Sequence, residues 1–316
     1  TYEKKERTHM DHIYDVIILG AGPAGLSAGL YAGRSRLDTL IIEKGQAGGQ
    51  IINTDEIENY PGQIVEGETG VSLVRRMYEQ TEQFGAEHVR DTITNAELSG
   101  DIKVLTGEKD AYQAKNIIIA TGAYARPIGC KGEQEYKGRG ISYCATCDGA
   151  FFKDKTVAVV GGGDVAVEDA VFLARGCKQV YLIHRRDQLR AAQVLQDALK
   201  DFHNITCIWD TTVEKIGGEQ QVQWITLKQT KTAEKYQLDV DGVFIAVGTV
   251  PDTGFVKELV DLDEHGYIKA GEDGRTGVSG IYAAGDIRTK ELRQIITAAA
   301  DGANCVNSAQ QDLYKR

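Results

Sequence analysis

Positive charge is in short supply: 36 lysines and arginines stand against 46 aspartates and glutamates, a net charge of −10. Such a surface repels polyanions, which excludes nucleic acid and anionic membranes as the main partners. Long apolar runs are missing too, and no stretch approaches the roughly 18–20 apolar residues of a transmembrane helix. Nor does a charged-then-apolar leader open the chain, so a cytoplasmic location is the expectation. Cysteine is sparse, six in 316 residues, and too scattered for a disulfide scaffold. Cys130, Cys177, Cys207 and Cys305 lack a close-spaced partner and read as ordinary buried thiols. No second C-x-x-C or C-x-x-H stands near Cys144 and Cys147, so four zinc ligands cannot be assembled and no metal is expected.

What the chain does hold is a core and a repeated plan. With 42% hydrophobic residues it can bury a real interior, divided over two domains at this length. Residues 1–9 are mostly polar or charged and precede Met10, which reads as a natural start, so they are taken as a remnant outside the fold. Residues 15–19 form a short apolar run suited to a buried parallel strand. The run stops at Gly20-Ala21-Gly22-Pro23-Ala24-Gly25, which opens an Ala/Leu-rich helix to about Arg34. Residues 39–42 make the next strand, ending at Glu43. This is the strand–turn–helix–strand setting that a G-x-G-x-x-G fingerprint requires. The glycines let the backbone approach a pyrophosphate at the helix N-terminus, and Glu43 stands where an acid takes ribose hydroxyls. The pattern points to a dinucleotide without saying which one.

A polar segment follows, Gly48-Gly49-Gln50 through Asn53 and then residues 58–62, which either covers a cofactor or is plain surface loop. A helix is expected near 70–84, strands near 92–98 and 102–106, and a closing apolar strand from Asn116 into Thr121-Gly122. The plan then repeats. Residues 156–160 lead into Gly161-Gly162-Gly163-Asp164-Val165-Ala166, a G-x-G-x-x-A variant, then a helix to about Ala174 and a strand at 179–183. A β-rich stretch near 213–238 precedes a second closing strand that runs from Val243 into Val247-Gly248. The internal match is stronger evidence than either motif alone.

The copies differ where the sugar is read. Against Glu43 in the first, the second has His184-Arg185-Arg186, with Arg190 beyond. Arginines clamp a 2′-phosphate through paired charged hydrogen bonds and an acid repels it, so the second site is expected to prefer NADP(H). Later, Gly285-Asp286 ends another short strand and Arg293-Gln294 opens an Ala-rich helix. Asp286 suits a sugar hydroxyl, and the helix N-terminus suits a ring or phosphate. This tail follows the second closing strand and is expected to rejoin the first domain, making that domain discontinuous. Pro127 and Pro251, two of only four prolines, follow the closing strands and mark the crossings, hence the candidate hinges.

Between the two nucleotide signatures lies Cys144-Ala145-Thr146-Cys147-Asp148. Two thiols separated by two residues can close or open a small disulfide ring with little backbone movement, so the pair stores two electrons. In this position it reads as the end of a wire from one nucleotide to a second and on to a disulfide. Taken together, these blocks resemble the bacterial-type, low-molecular-weight thioredoxin reductases over about residues 10–314, the cysteine block being the most specific. The resemblance implies an α/β chain of two Rossmann-like nucleotide-binding domains, each with a small β-meander. The FAD domain would be discontinuous, residues 10–123 and 250–316, with an NADPH domain inserted at 124–249 that carries the disulfide.

The resemblance also implies a homodimer, thioredoxin as protein substrate, and rotation of the second domain to present nicotinamide and disulfide to the flavin in turn. Asn53, Thr121 and Gly122 join the implied FAD contacts, and Val247 and Gly248 the NADPH contacts. Cys147 would face the flavin, Cys144 attack thioredoxin, and Asp148 protonate the leaving thiolate or flavin. One departure stands out. Many relatives carry a hydroxyl residue where Val165 follows Asp164; Val165 donates no side-chain hydrogen bond, and Asp164 brings negative charge toward a pyrophosphate, and both bear on the affinity there. Rival readings fit less well. Ferredoxin- or flavin-driven relatives lack the arginine cluster, peroxiredoxin-reducing flavoproteins usually carry an N-terminal thioredoxin-like module, and a non-catalytic NADP(H) sensor has no need of a thiol pair.

Overall fold

The structure, a computed structural model, describes residues 9–54, 57, 59–64 and 67–315, with only the backbone of Asn53. Residues 1–8 and Glu58 thus lie outside the described residues. The chain divides into two compact units, Thr1–Tyr124 with Val250–Arg316, and Ala125–Thr249.

The first unit opens with strand β1 (Ile13–Leu19), helix α1 (Pro23–Arg34), strand β2 (Thr39–Glu43), helix α2 (Gly70–Gln83) and strand β3 (Glu87–Arg90). β1 pairs in parallel with β2 from Val16↔Thr39 to Leu19↔Ile42, and β2 with β3. Val16 to Leu19 and Leu40 to Ile42 are buried without interruption, as strands covered on both faces must be. Each such Ile, Leu or Val contributes about 1.5–3 kcal/mol by leaving water. α2 starts sharply because Thr69 Oγ1 accepts from Ser72 N at 3.0 Å and Ser72 Oγ accepts from Thr69 N at 2.9 Å. That reciprocal pair satisfies two donors the helix leaves over.

A meander follows: β4 (Ile93–Glu97), β5 (Lys103–Gly107) and β6 (Ala111–Ile119). The first half of β6 alternates buried and half-buried positions and pairs antiparallel with β5, whereas Asn116 to Ile119 are all buried. Alternation giving way to a continuous apolar run marks a strand that leaves a one-faced meander for a two-faced core. His9 joins this unit, its backbone N donating to Asp110 Oδ2 at 3.3 Å and its ring 2.9 Å from the Tyr14 hydroxyl.

Strand β7 (Ala123–Ala125) leads out. The second unit contains β8 (Ile141–Ser142), the four-residue helix α3 (Ala145–Asp148), β9 (Thr156–Gly161), α4 (Asp164–Ala174), β10 (Gln179–Ile183), α5 (Gln193–Ala198) and β11 (Ile205–Ile208). An antiparallel meander, β12 (Thr211–Gly217), β13 (Trp224–Gln229) and β14 (Lys235–Asp239), precedes β15 (Gly242–Ala246). The parallel sheet runs β11-β10-β9-β15-β8.

β16 (Thr249–Pro251) leads back and pairs with β7. The two crossings therefore ladder to each other, with Pro251 inside one strand and Pro127 two residues past the other. β17 (Ile281–Ala283) then adds to β6 in parallel, from Ile117↔Ile281 to Ala283↔Ile119. Helix α6 (Ile295–Leu313) packs on α1 with Ala298, Gly302, Cys305, Val306 and Ala309 buried along one stripe. A Cβ on Gly302 would lie 2.1 Å from Ala24 O, so only glycine permits this approach. Two Rossmann-like units, one interrupted by the other, are the α/β architecture expected from the duplicated glycine motifs.

Candidate functional site

The two glycine turns are built alike. Where β1 ends, a Cβ on Gly20 would lie 2.4 Å from Ala120 O; where β9 ends, a Cβ on Gly161 would lie 2.4 Å from Ala246 O. Each first glycine lets its turn close against a neighbouring strand's end. The middle glycines do the opposite: Gly22 and Gly163 cap α1 and α4 with no side-chain cap, and a Cβ on either would meet nothing within 4 Å. Both helices therefore begin with uncapped backbone dipoles and a bare backbone surface, the cradle a pyrophosphate takes. At the third position Gly25 packs on Gly20, its Cβ site 1.8 Å from Gly20 O, whereas the second copy accommodates a fully buried Ala166.

Around the first turn the other expected residues converge. Glu43 accepts from Ala21 N and Gly45 N, both at 2.8 Å, which fixes its carboxylate and leaves lone pairs for sugar hydroxyls. Gly48 N donates to Ala21 O at 2.7 Å, and a Cβ on Gly49 would sit 3.5 Å from Gly22 Cα. Gln50 Nε2 donates to Ala123 O. Gly285, at φ +80°, has room only for hydrogen on its Ala24 side, where a Cβ would fall 2.8 Å from the alanine methyl. Burial pushes the Asp286 carboxyl up against the opposing charges of Lys290 and Arg293. Arg293 stacks 4.2 Å over the Tyr267 ring with its buried Nε unpartnered, and Gln294 caps α6. Thr121 and Gly122 tie the end of β6 to the returning chain: Thr121 Oγ1 donates to Asp252 O at 2.9 Å, and Asp252 N donates to Gly122 O at 3.0 Å.

Sequence reasoning missed Asp301. It is buried in α6 and accepts from Gly285 N at 2.9 Å, from Arg288 at 2.9 and 2.6 Å, and from Lys290 at 2.7 Å. Burial alone would raise its carboxyl, but the Arg288 and Lys290 contacts hold it below the usual carboxylate range. An acid inside an Ala-rich helix stripe was the available signal, and it fixes the turn that presents Asp286.

In the second unit Cys144 and Cys147 are joined as a disulfide across α3, Cα–Cα 5.3 Å. Both are half-buried, with Thr146 exposed between them. A Cβ on Gly149 would lie 3.0 and 3.1 Å from the side chains of Phe172 and Leu173, so the disulfide segment rides on α4, the helix of the second glycine turn. Asp148 Oδ2 accepts from Ser142 Oγ at 2.5 Å, and the same hydroxyl accepts from Cys144 N at 3.1 Å. Ser142 is buried in β8, in register with Phe244. A sheet residue thus holds both the carboxyl group and the backbone of the first cysteine, another residue the sequence did not single out.

A cavity of about 330 Å³ lies alongside, lined in part by Thr146, Glu168, Asp169, Phe172 and Arg175. Burial, with the charge of Glu168, pushes Asp169 up to about 7. The remaining thiols are poor nucleophiles: burial pushes Cys130 and Cys177 up to about 11 and Cys305 up to about 12, and Cys207 is raised too.

Beyond β10 the chain runs through the arginine segment to α5 without regular structure. His184 packs on Gly162 with Nε2 buried and unpartnered, and burial, then the charges of Arg190, Arg185 and Arg186, hold its imidazole below the usual range. Arg185, Arg186 and Arg190 are exposed, and among the described residues no carboxylate forms an ion pair with them. Three such guanidinium groups beside a glycine turn fit a phosphate monoester. Val247 and Gly248 directly follow β15, Gly248 at φ +103° with its carbonyl accepting from Arg126 N at 2.9 Å. Val165 is exposed. Asp164 Oδ1 accepts from Ala192 N at 2.7 Å, so the carboxylate is engaged at the start of α5.

Among the described residues no group of three or more His, Cys, Asp or Glu is placed to hold a metal ion, and no helix is long and apolar enough to cross a membrane.

Comparison with known proteins matches residues 14–302 to the family model described as pyridine nucleotide-disulphide oxidoreductase. Thioredoxin reductase of Peptoclostridium acidaminophilum is 45% identical over 308 residues, 96% of this chain and 98% of that protein. The crystal structure of thioredoxin reductase from Streptococcus pyogenes superposes with TM-score 0.91 at 45% identity, covering 96% of this chain and 99% of that one. That of Lactococcus lactis, described as the FR conformation, superposes with TM-score 0.67 at 43% identity, covering 96% and 100%.

Proposed function

Since the chain belongs to the pyridine nucleotide-disulphide oxidoreductases and, within them, to the thioredoxin reductases, we propose that it passes electrons from NADPH through FAD and Cys144–Cys147 to the disulfide of thioredoxin. The observation that carries this reading is the closed Cys144–Cys147 disulfide seated on α4, with Asp148 beside it and the arginine segment in the same unit. FAD is assigned to the first unit, held by Gly20–Gly25, Glu43, Gly48–Gln50, Gly285-Asp286 and Arg293-Gln294. NADPH is assigned to the second, held by Gly161–Val165, His184–Arg186 and Arg190. When bound, the flavin accepts a hydride from the nicotinamide and yields an electron pair to a disulfide.

The chain's residues carry out the exchange with thioredoxin. The Cys144 thiolate attacks one sulfur of the thioredoxin disulfide, forming a mixed disulfide and releasing a thioredoxin thiolate. Cys147 then attacks Cys144 Sγ, which restores the Cys144–Cys147 bond and releases the second thiolate. Asp148, oriented by Ser142, supplies a proton to a departing sulfur. Ser142→Ala is therefore expected to slow thioredoxin turnover about tenfold, given ~1.5–3 kcal/mol for a hydrogen bond to a charged group. Bleaching of the flavin absorbance by NADPH should be unaffected, as stopped-flow traces of the two half-reactions would reveal.

Nicotinamide site and disulfide both belong to the second unit, while the flavin site belongs to the first, so each must be presented in turn. The short crossings β7 and β16 are the proposed hinge. The spread in TM-score between the two solved relatives, at nearly equal identity, supports such rearrangement within the family. A cross-link engineered between the units should abolish thioredoxin turnover and leave the oxidised flavin spectrum intact; undiminished turnover would refute the rotation. On family resemblance we also propose a cytoplasmic homodimer.

A further inference from the structure

The arginine segment between β10 and α5 has no helix or ladder of its own, so something outside it must set its position. Two hydrogen bonds join it to the glycine turn at its far end: Arg190 N donates to Gly162 O at 2.7 Å, and Ala192 N donates to Asp164 Oδ1 at 2.7 Å. Near its start, Asp210 N donates to Arg186 O at 3.1 Å, and Lys231 sits 2.7 Å from Asp210 and 3.7 Å from Asp187. Of these ties only the Asp164 bond is made by a side chain of the nucleotide turn itself. Asp164 is the first residue of α4, and Ala192 directly precedes α5, so one carboxylate bridges the helix under the pyrophosphate and the end of the segment bearing the three arginines.

We propose that Asp164 is a specificity-positioning residue: its carboxylate pins the arginine segment to the glycine turn and so sets the discrimination for a 2′-phosphate. This rests on the reading of Arg185, Arg186 and Arg190 as the 2′-phosphate site. A segment held in place loses less freedom when the phosphate binds, and that preorganisation appears as affinity for the phosphorylated nucleotide alone. The same hydrogen bond fixes the carboxylate on a backbone N–H at the start of α5.

The test is calorimetric titration of the holoenzyme with 2′,5′-ADP and separately with 5′-AMP, which differs from it only by the 2′-phosphate, for wild type, Asp164→Ala and Asp164→Asn. Wild type should prefer 2′,5′-ADP, and Asp164→Ala should lower that preference about tenfold, the scale of a hydrogen bond to a charged acceptor. The loss should fall on 2′,5′-ADP and not on 5′-AMP. Asp164→Asn keeps an oxygen acceptor and should retain most of the preference, which also guards against a folding defect in the alanine variant. An unchanged ratio in Asp164→Ala, or equal weakening of both ligands, would overturn the proposal while leaving the arginine site intact. A wild-type enzyme without preference would overturn the arginine reading itself.

Discussion

Cys144→Ser and Cys147→Ser variants should each lose thioredoxin turnover by about 10³-fold or more, the scale on which removing an essential nucleophile is felt. No other thiol can substitute. Cys130, Cys177 and Cys305 are held protonated by burial, up to about 11, 11 and 12, and none has a close-spaced partner. The two variants should fail differently. Cys147→Ser retains the attacking thiolate and lacks the sulfur that resolves the mixed disulfide, so a covalent adduct with thioredoxin should accumulate once the freed thioredoxin thiol is alkylated. Cys144→Ser should give no such adduct. Non-reducing electrophoresis separates the outcomes, and an adduct in the Cys144 variant would reverse the roles assigned to the two sulfurs. NADPH should still bleach the flavin in both.

The second large effect belongs to the arginine segment. Arg185→Ala combined with Arg186→Ala should raise the KM for NADPH by about 10²–10⁴-fold, taking ~1.5–3 kcal/mol for each charged hydrogen-bonding partner lost. Use of NADH, which lacks the 2′-phosphate, should change by less than about threefold, since the pyrophosphate cradle at Gly161 and Gly163 is untouched. Steady-state kinetics with both nucleotides at low salt would measure the ratio. High salt should shrink the wild-type preference as well, because these side chains are exposed and screened. A parallel loss with both nucleotides would mean that the arginines serve the fold of the segment and not the phosphate.

Much of this was legible in the residues because the informative features are local. The strand, turn and helix at Gly20–Gly25 and Gly161–Ala166 are written within about thirty residues each, and glycine at a tight turn leaves few alternatives. The cysteine block is equally compact. What stayed hidden depends on contacts between distant segments. β8 is only two residues long and carries no periodicity to detect, yet it sets Ser142 against Asp148. Asp301 lies 16 residues from the Gly285 N–H it accepts from, and Asp164 lies 28 residues from Ala192. For Asp164 the sequence supplied a charge, and the backbone donor that engages it becomes visible only when α4 and α5 are placed together.

The most direct test of the electron path is an anaerobic titration of the purified holoenzyme, following flavin absorbance with NADPH and separately with NADH, then adding oxidised thioredoxin. Bleaching far more effective with NADPH, and reversed by thioredoxin, is the result predicted from the arginine segment and the Cys144–Cys147 disulfide. Flavin that neither nucleotide bleaches would contradict it, and would make ferredoxin or a free reduced flavin the electron donor.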